Sequence, residues 1–150
     1  AVGGDFTAFP FLHRGDNMTI GEASEQLDIL KPNAIPRKVK VRWLSEVDWA
    51  VYRELVMSHE HGEGLLFAGY KDGDESGADD KLLLAVQPYD KMYVQYMMCQ
   101  VDLQNQEYDL YDNDFALYNQ TFSDYSRHYN RHVMPLQRAT LHAKSWGRRR

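Results

Sequence analysis

Hydrophobic and polar positions change period three times along this chain, and each change predicts a different element. From Arg37 to Trp43 the pattern alternates strictly, with Val39, Val41 and Trp43 on one side and Lys38, Lys40 and Arg42 on the other. Period-two alternation with β-branched and aromatic residues predicts a half-buried strand. Trp49 to Met57 is ambiguous. Trp49, Val51, Leu55 and Met57 alternate, broken by Arg53, whereas Ser45-x-x-Asp48 could cap a helix and Val47, Val51 and Leu55 are spaced i, i+4. The concentration of Trp, Val and Tyr favours a second strand. Gly64 to Tyr70 and Lys81 to Gln87 read as further strands flanking an Asp- and Gly-rich hairpin loop. After the turn at Pro88-Tyr89-Asp90, Lys91 to Val101 is apolar on both faces, the pattern of a central strand.

Helical spacing marks the two ends. Thr19 with Glu22 forms a capping-box pattern, Ala23, Leu27 and Leu30 follow at helical intervals, and Pro32 stops a helix over about Gly21 to Lys31. From Asp112 onward, Phe115, Tyr118, Phe122, Tyr125 and Tyr129 recur every three or four residues. That is an aromatic stripe on one helix face, with Asp112 and Asp114 at its start, Arg127 and Arg131 near its end, and Pro135 beyond. Ala139 to Trp146 could add a last strand. The expected fold is therefore α+β: an antiparallel β-sheet meander or sandwich, with a short N-terminal helix and the C-terminal aromatic helix packed on it. In that arrangement the tryptophans of the first hairpin are core.

Composition adds that the 150 residues suit one domain over 1–150, with an irregular N-terminal arm over 1–18 and frayed residues 147–150. Hydrophobic residues make up 43% and aromatics 13%, too rich for a disordered chain. The absence of an initiating Met leads to the expectation of a processed or excised N-terminus. No apolar run approaches the roughly 20 residues of a membrane span. Net charge is −5, yet residues 127–150 carry seven basic and no acidic side chains, which leaves −12 on the first 126. A bipolar surface or basic tail follows, while the acidic body argues against nucleic acid as a partner.

Chemistry is sparse. Cys99 is the single cysteine and lies in an apolar run, so it forms no intramolecular disulfide and reads as a buried, inert thiol. Asp72-x-Asp74-x-Ser76-Gly77 copies the start of a calcium-binding loop, but Leu83 stands where the bidentate Glu is needed. A solvated acidic hairpin tip is the simpler reading. Asp124, His128 and His132 are spaced i, i+4, i+8, and His59 and His61 could complete a zinc site, but Tyr129 follows His128 where the metalloprotease signature has Glu. Nucleophile elbows, phosphate loops and dinucleotide fingerprints are absent. The sequence thus predicts no catalytic residues, cofactor or metal.

Two blocks carry a resemblance. Ile35-Pro36, Trp43, Ser45, Val47 and Tyr52 form the first, and the stretch from Leu82 to Met97, two apolar segments around a Pro-containing turn, forms the second. Across these middle 65 or so residues the chain resembles a family of Gram-negative envelope lipoproteins of otherwise unknown function. Some of its members look like immunity proteins encoded beside type VI secretion effectors, including toxic phospholipases. The resemblance implies a non-catalytic periplasmic protein, tethered by a lipid anchor preceding Ala1, that occludes a cognate effector's active site or docking surface. Electrostatic complementarity and buried aromatics commonly build such contacts. The expected partner-binding residues are Asp72, Asp74, Glu75, Asp79 and Asp80 of the acidic hairpin, and Glu107, Asp109, Tyr111 and Asp112. The rival readings are an envelope ligand- or polymer-binding module with tyrosines lining a groove on the sheet, and an enzyme with an unrecognised site.

Overall fold

The structure, a computed structural model, describes residues 17–60, 62, 64–71 and 81–136. The stretch 72–80 expected as an acidic hairpin, His61, the expected strand 139–146, residues 147–150 and all but the last two residues of the expected N-terminal arm lie outside them. The described residues form four helices: α1 (Ile20–Leu30), α2 (Arg37–Val51), α3 (Lys91–Gln104) and α4 (Tyr108–His132). A π-helical turn, Tyr52–Val56, prolongs α2 without a break. Among the described residues there is no strand, so the expected antiparallel meander or sandwich is corrected to an all-helical bundle. A tyrosine-lined groove on a sheet is lost with it.

The reasons differ from segment to segment. The Lys/Arg alternation from Arg37 falls on α2, whose core face runs Val41, Leu44, Val47, Asp48, Val51 and Leu55 at helical intervals. Val41 and Trp43 are both buried, on neighbouring sides of a broad inner face, and Lys40 is drawn under by Asp28 at 2.6 Å. The i, i+4 reading of Val47, Val51 and Leu55 is the one the fold adopts. Trp43 is core, as expected. Trp49 lies at the bundle's edge, packed edge-on against Tyr52 and Phe67 and 37% exposed.

Lys91 to Val101 was apolar on both faces for a different reason. As α3 it packs against α1, α2 and α4 at once, burying Met92, Tyr93, Val94, Met97, Cys99 and Val101. A helix surrounded on all sides loses its amphipathic period and looks like a buried strand.

Gly64–Tyr70 and Lys81–Gln87 are extended segments laid over the helices. Phe67, Tyr70 and the run Leu83–Val86 are buried. One isolated bridge, Thr19 to Leu82, holds the second segment to the start of α1, through Ile20 N to Lys81 O at 3.0 Å and Leu83 N to Met18 O at 2.9 Å.

The end helices formed where predicted. Thr19 and Glu22 cap α1 reciprocally, at 3.2 and 2.9 Å. Ala23 and Leu27 are buried, but Leu30 faces out. Helix α4 carries the aromatic stripe and begins at Tyr108, one turn before Asp112. It lies antiparallel to α3 across a three-residue turn, with Tyr96 against Tyr118 and Tyr89 against Tyr125. The turn is a Schellman motif: Glu107 N donates to Asp102 O at 2.9 Å and Gln106 N to Leu103 O at 3.2 Å. The left-handed position that the motif needs is filled by Gln106, φ 60°, and not by glycine.

Candidate functional site

Three places gather polar or apolar groups that the core alone does not require. The first is a polar knot inside the bundle. Asp48 of α2 is fully buried and accepts from Tyr70 Oη, from Tyr93 Oη at 2.5 Å and from Leu84 N at 3.1 Å. Tyr93 Oη in turn accepts Ala85 N–H at 2.7 Å, and Ser45 Oγ accepts Tyr70 N–H at 3.0 Å. These bonds answer the backbone donors of the two buried extended segments, which have no sheet partner. Burial pushes the Asp48 carboxyl up to about 7, against three donors that favour the charged form. Both tyrosines are held well above their ordinary value by burial and by the adjacent carboxylate. The knot is closed to solvent, so its geometry serves architecture.

The second place is the junction of α1, α3 and α4. Lys31, the C-cap residue of α1, bonds Asp102 Oδ1 of α3 and stands 3.6 Å from Asp114 of α4. Asp102 is fully buried. Burial, then the neighbouring Asp102, raise the Asp114 carboxyl. The same carboxylates add to burial in pushing the Cys99 thiol up to about 12, which suits a closed, unreactive side chain.

The third place is the outer end of the α3–α4 hairpin. Leu103, Tyr108, Leu110, Phe115 and Leu117 stand between 36% and 61% exposed there. Gln106, Glu107, Tyr108, Asp109 and Leu110 line a shallow depression at the tip. Four of the sequence-predicted partner residues fall in this region. Glu107 is the N-cap residue of α4, Asp109 and Asp112 are exposed, and Tyr111 stacks on Phe115 at 5.6 Å and 12°. The other five, Asp72, Asp74, Glu75, Asp79 and Asp80, lie outside the described residues.

The three described histidines have different partners. His59 is buried, with Nδ1 at 2.6 Å from Leu55 O and Nε2 at 2.6 Å from the Asn130 side chain. His128 and His132 lie with ring centroids 4.3 Å apart, and desolvation, then His132 and Arg131, lower His128 from its ordinary value. Asp124 turns instead to Gln120 at 3.0 Å and Arg127 at 3.5 Å. Among the described residues no group of three His, Cys, Asp or Glu is disposed around a metal, and no helix is long and apolar enough to cross a membrane.

The chain matches no family model, no curated protein and no solved structure.

Sequence reasoning missed Asp48, Tyr70, Tyr93 and the Lys31–Asp102–Asp114 junction. A signal was present for two of them. Asp48 sits between Val47 and Trp49, and Asp102 between Val101 and Leu103, each an acid with apolar residues on both sides. An acid placed so is either exposed by its period or buried with partners, and only the correct period distinguishes these.

Proposed function

We propose that this chain is a protein-docking module whose contact surface is the outer end of the α3–α4 hairpin. The observation that carries this reading is the uneven burial of α4. The helix runs 25 residues, about 37 Å, yet only Tyr118, Thr121 and Tyr125 are buried. Its first three turns leave Tyr108, Leu110, Phe115 and Leu117 in contact with water, beside Leu103 of α3. At helical spacing Leu110 and Leu117 share one flank of α4 and Tyr108 and Phe115 the other, so two exposed apolar pairs straddle its buried face. Exposed apolar groups rimmed by charge mark interaction sites, and aromatic side chains are common anchors in them. The rim here is acidic, with Glu107, Asp109 and Asp112, so the complementary partner presents an apolar seam flanked by basic groups.

An immunity protein that covers a type VI effector in the periplasm is a narrower form of the same reading. It draws on the family resemblance alone. The two blocks that carry this resemblance fold as α2 and as the segment and turn that lead into the first half of α3. The docking reading stands on α4 without it.

Photo-crosslinking residues placed singly at 108, 110 and 117 in the producing cell test the proposal. Adducts to protein should form there, and not at the exposed control positions 42 and 46 on α2. Adducts through position 110 should disappear when Leu117→Glu, two turns on along the same face, is introduced. Equal yields at these and the control positions would refute it.

A further inference from the structure

Asp102 is completely buried, and Lys31 satisfies one of its oxygens; Oδ2 has no partner among donors that are always protonated. A buried carboxylate oxygen left unpaired is costly, and the acid gathered beside it is Asp114, whose Oδ2 lies 3.6 Å from the same Lys31 ammonium that bonds Asp102 Oδ1. Charge makes the same point. Two carboxylates and one ammonium leave an uncompensated negative charge in a site where the three side chains are 0–20% exposed. A metal ion would have to sit beside the Lys31 ammonium, whereas a proton removes the excess charge and supplies the missing donor.

We infer that Asp114 carries a proton which it donates to Asp102 Oδ2, and that this carboxyl–carboxylate bond, with Lys31, clamps the N-terminal half of α4 to α1 and α3. Three elements surround the proton. From α1 comes Lys31, from α3 come Asp102 and the Cys99 thiol, and α4 contributes Asp114 itself. On α2, Lys40 is held by Asp28, and Arg42 is paired with Glu46, which also accepts from Tyr96. Burial, the hydrogen bond with Asp102 and its charge hold the Asp114 proton on, and Lys31 opposes them. Loss of that proton returns the excess charge to the junction and loosens the first turns of α4. Those turns carry Tyr108, Leu110 and Phe115, so on the docking reading the proton also governs how firmly these exposed groups are presented.

Aspartate side-chain carbon NMR on the full chain tests the clamp. The Asp114 carboxyl should titrate clearly above the ordinary value of about 3.9. Asp102→Asn should bring it down toward that value. A wild-type midpoint at the ordinary value overturns the inference, with no variant needed. So does a raised midpoint that Asp102→Asn leaves in place. Amide exchange over residues 108–115, corrected for intrinsic rate, should lose at least tenfold protection as the proton leaves. In Asp114→Asn, whose amide is a permanent donor, protection should stay flat. Equal pH dependence in both proteins would overturn the clamp. The titration reports the proton whether or not α4 docks a partner, and crosslinking at 110 and 117 reports docking whether or not the carboxyls share a proton.

Discussion

Tyr93 and Asp48 are joined by a buried hydrogen bond of 2.5 Å, and the same phenol oxygen accepts the Ala85 backbone N–H at 2.7 Å. One side chain thus relays between the carboxylate of α2 and an extended segment that has no sheet to pair with. Tyr93→Phe removes both bonds at once and leaves the Ala85 N–H and one carboxylate oxygen short of partners in the core. A loss of about 2–4 kcal/mol is expected, since each unanswered buried polar group costs about 1–3 kcal/mol. Tyr70→Phe removes one donor to Asp48 and no backbone partner, so its cost should be smaller. Urea unfolding of both variants checks the order, and a larger loss in Tyr70→Phe would contradict the relay.

The Asp48 carboxyl also sets a pH dependence of definite sign. Its ordinary value is 3.8, and in the folded protein it is pushed up to about 7. Between those values the folded state holds a proton that the unfolded chain has released. Stability from this group is therefore fully present below about pH 4 and is lost as pH rises through about 7, by at most about 4 kcal/mol. Asp114 and Asp90 are shifted in the same direction and add to the slope. Urea midpoints from pH 5 to 8 should fall in the wild type and fall less steeply in Asp48→Asn. Identical slopes would show that Asp48 stays ionised throughout, its three donors outweighing burial.

How much of this was legible in the sequence turns on which side chains hide their partners. The capping box of α1 and the aromatic stripe of α4 were readable because both are local: Thr19 meets Glu22 three residues on, and Tyr118, Phe122 and Tyr125 share one face. The α2 strand pattern misled because six alternating residues, Lys38 to Trp43, also wrap a wide helical face whose two edges hold Val41 and Trp43, and Val and Trp accept either geometry once buried. Helix α3 misled because it is enclosed by three neighbours, which erases period. The polar knot was hidden because Asp48, Tyr70 and Tyr93 lie up to 45 residues apart, and nothing local marks them as partners. Of the candidate site, Glu107, Asp109, Tyr111 and Asp112 were singled out for charge and aromatic content. The apolar residues among them, Leu110 and Leu117, draw attention only when their exposure is known.

Gln106 supplies a second stability test. It holds φ 60° at the left-handed position of the turn joining α3 to α4, where a side chain is disfavoured and glycine is not. Gln106→Gly should stabilise the protein by up to about 1 kcal/mol, relief of strain exceeding the added entropy of the unfolded chain. Chemical denaturation measures it, and a destabilised variant would mean that the Gln106 side chain contributes a contact worth more than the strain.

Gly62 should behave in the opposite way. A Cβ there would lie 1.8 Å from Val56 O, at the end of the π-helical turn, against backbone that cannot swing aside as a side chain would. Gly62→Ala is therefore expected to cost at least about 2 kcal/mol, near the upper range for overpacking. Gly64 has φ +82° but open space around its Cβ, so Gly64→Ala carries only conformational strain of about 1 kcal/mol. Thermal unfolding of the two variants should rank them in that order.

Leu117 and Tyr118 are neighbours in sequence with opposite surroundings, and this contrast separates docking from folding. Tyr118 is buried against Tyr96 at 5.2 Å, while Leu117 is 53% exposed. Tyr118→Ala should cost about 3 kcal/mol or more, as aromatic truncations in a packed core do. Leu117→Gln replaces an apolar group already in water, so stability should change by no more than about 0.5 kcal/mol. If α4 docks a partner through the flank that carries Leu110 and Leu117, Leu117→Gln should nevertheless lower the crosslinking yield through position 110 at unchanged urea midpoint. A variant that keeps both stability and crosslinking would place the contact elsewhere on the surface. One that loses stability would mean that Leu117 supports the bundle more than its exposure indicates.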